Sequence, residues 1–266
     1  MIDTLCDNLY VYARLVMTSM RVQLAYMKSF VMFTIANALG CAVELSTIFL
    51  FFGRFGGFPG WTVGEVAMFY GMTSTAYALC EAWMRGMDIF HRSVRTGDFD
   101  RVLLRPRGTV LQLMGSELQL LRLGRLSVGL FALIWGASGL PAPITAGGWL
   151  LIALSILGGT LLFSGIIFMQ ATMAFWTVEP MEVWNVITYG GVEVTQYPLT
   201  IYGARLRGFF SRVVPLAAVN YWPLSLILGR GGGSIAWLSP LMGVAWYALG
   251  LVIWRFGVRH YRSTGS

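Results

Sequence analysis

The run Trp149-Leu-Leu-Ile-Ala-Leu-Ser-Ile-Leu-Gly-Gly-Thr-Leu-Leu-Phe-Ser-Gly-Ile-Ile-Phe-Met-Gln-Ala-Thr-Met-Ala-Phe-Trp176 contains no charged residue. About 20 apolar residues in a helix suffice to cross the hydrocarbon core of a bilayer, so this stretch reads as a membrane span. Pro141–Gly148 is a turn before it, and Glu179, Pro180 and Glu182 close it. Phe30–Phe52 has the same character, with one amide, Asn37, and one acid, Glu44. A Gly/Pro turn, Gly53–Gly60, leads to Trp61–Met84, which has a tryptophan near each end, the interfacial placement that this residue favours. Leu123–Leu140 is a further span whose apolar pattern reaches back toward Val110, and Ile235–Phe256 is the last. The fold class is therefore all-α, a polytopic membrane helix bundle in a single domain over residues 1–266.

Composition agrees. The chain is 56% hydrophobic and 12% charged, with a mean hydropathy of +0.67. A soluble domain carries about 25% charged residues, so much of this surface must face lipid. The net charge is +7, and Lys28 is the sole lysine. The arginines flank apolar runs, which is the pattern of cytoplasmic loops and not of a nucleic-acid patch. Met1–Lys28 has acids at Asp3 and Asp7 and does not read as a signal peptide. It is amphipathic, and reads equally as an interfacial helix or as a plain cytoplasmic lead-in.

Residues 181–230 admit two readings. In one, Met181–Thr200 is a weakly apolar fifth span and Ile201–Gly229 forms short re-entrant helices. In the other, Val213–Gly229 is the span, which leaves Arg205, Arg207 and Arg212 inside. The charge rule favours the second. Pro198, Pro215 and Pro223 favour the first, because proline breaks helices. Both give six transmembrane helices with both termini on the cytoplasmic side, where Arg255, Arg259 and Arg262 hold the C-terminus.

Arg85–Arg125 is the most charged stretch. Arg85, Arg92, Arg95, Arg101, Arg105, Arg107, Arg122 and Arg125 stand against Asp88, Asp98, Asp100 and Glu117, which marks a cytoplasmic loop. Met87, Phe90 and Val94 keep helical spacing within it, so part of it should be structured, and Pro106 should end or redirect a helix.

Catalytic patterns are missing. There is no GxxxxGK[ST] phosphate loop and no HExxH. His91 and His260 sit beside arginines and read as solvated. Cys6, Cys41 and Cys80 lack metal or disulfide spacing. Ser164-Gly165 would need a histidine base on a neighbouring span to be a protease, and none is present, so these small residues, with Gly158 and Gly159, read as close-packing positions. Asp98 and Asp100 lack the further acids of a membrane phosphotransferase. An acid inside a span is costly and faces a bundle interior or cavity. Glu44 and Glu193, with Asn37 and Gln196 near them, are therefore candidates to line a translocation path, or to be buried partners in interhelical bonds.

Two segments carry a family resemblance. Gly97-Asp98-Phe99-Asp100 with Leu103-Leu104-Arg105-Pro106 resembles the Gly-acid-Leu-Asp…Leu-Leu-Arg/Lys-Pro signature of ABC-2-type permeases of bacterial ABC exporters, with Phe99 in place of the usual leucine. It resembles in particular the branch, similar in length to this chain, once listed as a family of unknown function. Tyr197-Pro198…Ile201-Tyr202…Leu206-Arg207…Pro215…Tyr221-Trp222-Pro223…Leu228-Gly229 resembles that branch's second signature. The resemblance implies an N-terminal interfacial helix over 1–29, spans at 30–52, 61–84, 123–140, 149–176, 181–200 and 235–256, a cytoplasmic coupling loop over 85–122, and external re-entrant helices over 201–230. It implies a bacterial cytoplasmic membrane, a second permease, identical or paralogous, and two ABC ATPase subunits. The chain itself would hold no cofactor, with ATP and Mg bound by the ATPases. Arg92, Arg95, Asp98, Asp100 and Arg105 become candidate coupling contacts. Competing readings are a secondary active transporter, a lipid-modifying membrane enzyme and a structural scaffold.

Overall fold

The computed structural model describes residues 2–177 and 182–261, all helix and connection with no strand among them. Glu179, Pro180, Met181 and Arg262 lie outside the described residues. Helix α1 (Ile2–Ala25) stops at Tyr26, whose φ of −107° and ψ of 54° are not helical, and α2 (Met27–Phe55) begins at once. Only Cys41, Leu45 and Ile48 of α2 are buried. They fall at i, i+4 and i+7, one helical stripe, and the other faces are open to a bilayer.

Helix α3 (Val63–Asp88) is the axis of the bundle, with every residue from Glu65 to Ala78 buried. Its start is written in Thr62-Val-Gly-Glu65. The Thr62 hydroxyl accepts from the Glu65 amide, and the Glu65 carboxylate accepts from the Thr62 amide at 2.7 Å, a reciprocal cap for otherwise orphaned donors. After α3 come two short helices, α4 (Phe90–Arg95) and α5 (Asp98–Leu103), then α6 (Thr109–Ser116). Glu117 is extended (φ −144°, ψ 109°), so the chain breaks there. The apolar pattern reaching back from Leu123 to Val110 is thus two elements, and α7 (Leu123–Ser138) stands alone behind a 3-10 turn at Leu120–Arg122. Helix α8 (Ala146–Thr177) contains the opening run.

Helix α9 (Glu182–Thr195) has 14 residues, about 21 Å at 1.5 Å per residue, less than the ~30 Å of a hydrocarbon core. Short pieces follow: a 3-10 turn at Leu199–Ile201, α10 (Ala204–Gly208), a π turn at Phe209–Val213, a 3-10 turn at Leu216–Ala218 and α11 (Tyr221–Ile227). A single helix over Val213–Gly229 does not form. Pro215 has no amide hydrogen to continue one, and the chain restarts at Asn220. Helix α12 (Gly233–His260) closes the bundle. By length and composition, α2, Leu120–Ser138, α8 and α12 can each cross a membrane. Helix α3, at 26 residues, is long enough but is sheathed in protein.

Small residues set the packing. Along α12, Ala236, Gly243, Gly250 and Gly257 recur at a seven-residue interval, as do Gly158, Gly165 and Thr172 along α8. A Cβ at Gly243 would overlap the Gly158 carbonyl oxygen, one at Gly250 would sit 2.8 Å from the Gly165 oxygen, and one at Gly165 would sit 2.5 Å from the Trp246 oxygen. A second seam joins α3 to α7, with Gly64 against Gly136 and Gly71 against Gly129. Backbones meet directly in both seams, as small residues permit in membranes. A repeat of seven keeps each seam on one side of its helix.

Candidate functional site

Helix α3 leaves the bundle through the Arg85–Asp88 ion pair at 2.6 Å. The chain then turns a corner. Gly97, with φ of +73°, permits the sharp change of direction between α4 and α5 that a side chain would oppose. Phe90, Val94 and Phe99 face inward and are at most 2% exposed. The rings form a knot. The Phe90 centroid lies 4.9 Å from those of Phe99 and Trp254 and 5.2 Å from that of Phe175. The phenylalanine at 99 is thus a packing residue that fills the space between α8 and α12.

The outer face of the corner is polar. Arg92, Arg95, Asp98 and Arg105 are exposed, and Asp100 is half-buried. Asp98 accepts from Thr96 at 2.6 Å and pairs with Arg101 at 3.3 Å. Beside these charges, Leu104 is 85% exposed and Leu103 41%. Gln112 of α6 braces the corner from behind by donating to the Val102 and Arg107 carbonyls. All five candidate coupling residues therefore lie in α4, α5 and the turn after them.

Three of the four candidate path residues gather around Arg125: Asn37 and Glu44 contact it directly, and Glu193 lies within electrostatic range of Glu44 and Arg125. Asn37 accepts from the Arg125 amide at 3.0 Å. Glu44 lies 3.7 Å from the Arg125 guanidinium and accepts from the Tyr70 hydroxyl at 3.3 Å. Arg125 also approaches Glu81 at 4.0 Å, Arg122 pairs with Glu81 at 3.0 Å, and the Arg125 guanidinium stands 5.5 Å from the Tyr77 ring centroid. Glu44 is thus one edge of an ionic cluster linking α2, α3 and α7. Glu193 is exposed on α9, whereas Gln196, just past the end of that helix, is buried.

Sequence reading missed a deeply buried polar junction at Asn220. Its amide donates to the Phe69 carbonyl at 3.3 Å, to the Thr73 hydroxyl at 2.7 Å and to the Thr195 carbonyl. It ties α3 to the end of α9, which Pro198 leaves with free carbonyls. Only the amide inside the largely apolar run Leu216–Leu228 hinted at this. Asn220→Leu, similar in size, should lower the stability of the purified chain by about 1–3 kcal/mol, the cost of orphaning buried polar groups, read as a fall in melting temperature in detergent. An unchanged melting temperature would show that the junction is dispensable. Ser164 is equally occupied: it accepts from Trp83 at 3.1 Å and donates to Thr160 at 2.7 Å, a packing role with no base beside it.

No curated protein and no solved structure matches the chain. A family model described as ABC-2 family transporter protein matches residues 15–265. That match takes in α2 to α12 and the charged corner whole, and the chain belongs to the ABC-2 family of membrane transporter proteins.

Proposed function

We propose that this chain is the transmembrane permease subunit of an ATP-driven exporter, docking its α4–α5 corner on a separate ATPase. The observation that carries the reading is the corner itself. It sets exposed Leu103 and Leu104 among Arg92, Arg95, Asp98, Asp100 and Arg105, a mixed surface that suits a protein groove better than water or lipid. The aromatic knot beneath holds that surface rigidly against α8 and α12. The chain has no phosphate loop, so ATP and Mg bind to the partner.

The full assembly has two permeases, identical or paralogous, and two ABC ATPase subunits in a bacterial cytoplasmic membrane. Both termini and the corner face the cytoplasm. The chain crosses six times, with residues 181–200 as the fifth crossing, α9 supplying about 21 Å of it and the chain beyond it the rest, and residues 201–230 re-entering from outside, where their broken backbone is satisfied by protein. ATP binding closes the ATPases, the corners move with them, and the permease pair shifts toward an outward-open state, as differential binding requires. A secondary-transporter reading needs an in-span acid free to exchange protons. Glu44 beside Arg125 is poorly suited to that.

Replacing Leu104 with Asp and Arg105 with Glu should reduce ATPase recovered in a mild-detergent pull-down at least tenfold. Melting temperature should stay within about 1 °C of the parent, because exposed substitutions away from special features change stability little. Full ATPase recovery with the double variant would place the docking surface elsewhere.

A further inference from the structure

A groove of about 730 Å³ opens where α1, α6 and α12 meet. Its inner part is apolar, walled by Val110, Leu111 and Met114 of α6 and by Leu251 and Trp254 of α12. Trp254 is fixed there by donating its indole hydrogen to the Thr109 hydroxyl at 3.1 Å. The lining carries no acid, and Arg255 and Arg259 stand at one end of it. They are four residues apart, so both point along the same face of α12, about 6 Å apart along the axis. Both are exposed, and among the described residues neither is paired with a carboxylate. Tyr12 of α1 closes the side, and burial pushes its phenol up, so it remains a neutral donor. Tyr247 to Arg259 covers about 18 Å of helix axis.

We propose that this groove is a binding site for an anionic phospholipid, with the headgroup phosphate held by Arg255 and Arg259 and an acyl chain along Val110, Met114 and Leu251. Charge complementarity selects the occupant. Two unneutralised guanidiniums at the membrane-interface end of α12 match a phosphate, which arginine binds bidentately. The apolar channel running away from them matches a chain that cannot leave the bilayer. A soluble anion would use only the first half of the site, and a zwitterionic lipid would bring its own cation to the two arginines. The occupant wedges α1 against α12 beside the aromatic knot, so its presence should stabilise the side of the bundle that carries the corner.

The test uses the purified full chain in a mild neutral detergent, titrated separately with phosphatidylglycerol, phosphatidylcholine and inorganic phosphate while its melting temperature is followed. Phosphatidylglycerol should raise the melting temperature saturably, with phosphatidylcholine and phosphate giving little. Arg255→Gln with Arg259→Gln should weaken the half-saturating phosphatidylglycerol concentration at least tenfold. Val110→Trp, which fills the channel and keeps both arginines, should weaken it likewise. Arg205→Gln with Arg207→Gln, on exposed α10, should leave it unchanged. An equal response to phosphatidylcholine, an equal response to phosphate alone, or equal losses in the α10 and α12 charge variants would each overturn the proposal. Should Val110→Trp fail to fold, the two charge variants still decide the outcome.

Discussion

Gly243→Val should leave almost no correctly folded protein. The first carbon of any side chain at this position overlaps the carbonyl oxygen of Gly158, and a backbone atom cannot swing aside as a flexible side chain can. The alternatives are to part α8 from α12 or to slide one along the other, and either breaks the contacts at Gly165, Gly250 and Gly257 in the same seam. Overpacking a close-packed core ordinarily costs about 1–3 kcal/mol. A clash between two backbones in the middle of the largest helix pair should exceed that range and take most of a typical ~5–15 kcal/mol of stability. The measurement is the monodisperse fraction on size exclusion after detergent extraction, together with the melting temperature. Gly40→Ala is the matched control. Gly40 lies in α2 with nothing near its missing Cβ, and replacing glycine inside a helix by alanine stabilises by roughly 0.5–1 kcal/mol. If Gly243→Val runs as the parent does, the seam is not a true backbone contact.

Glu81→Leu should be nearly as damaging, for an electrostatic reason. The side chains of Glu81, Arg122 and Arg125 are only 10%, 19% and 14% exposed. Removing the acid leaves Arg122 with no carboxylate within ion-pair reach among the described residues, and Arg125 with Glu44 alone at 3.7 Å. Breaking a buried pair by deleting one partner costs about 3–5 kcal/mol, because an uncompensated charge stays out of water. Glu81→Leu combined with Arg122→Leu removes the charge together with its closest partner, and Arg125 keeps Glu44. The double variant should recover at least half of the loss in melting temperature. A double variant no better than Glu81→Leu would mean that the acid acts by shape and not by charge.

The helices long and apolar enough to cross a membrane were legible in the sequence because a bilayer demands a long apolar window, and α2, Leu120–Ser138, α8 and α12 supply one, although most of α8 is packed inside the bundle. Helix α3 was legible as a helix but not as the axis, since its sheath is other protein and hydropathy does not distinguish the two. The seven-residue glycine interval in α8 and α12 was readable but says nothing of which helices meet. In the sequence, Glu65 is an acid four residues into the span Trp61–Met84. Its second role, the 2.6 Å bond to Arg230, joins residues 165 positions apart, a separation no local pattern can reveal. The Thr62–Glu65 cap, in contrast, stands in four consecutive residues. The coupling candidates could be placed in one loop from their signature, yet the knot under them depends on Phe175 and Trp254, far along the chain.

That knot fixes where the molecule can bend. Rings from α8 and α12 clamp the corner, and the backbones of those two helices touch, so the three form one stiff lever with little compliance of its own. Any displacement delivered at Arg92 or Leu104 must be absorbed at elbows outside it. The suitable places are the connections at Gly56, Gly57 and Gly60 and at Gly229, Gly231 and Gly232, all at positive φ. Arg230 pins the two elbows together by donating to the Gly60 carbonyl at 2.6 Å. Both connections lie at the end of the bundle opposite the corner, and bending there would have to carry the two together or break that bond.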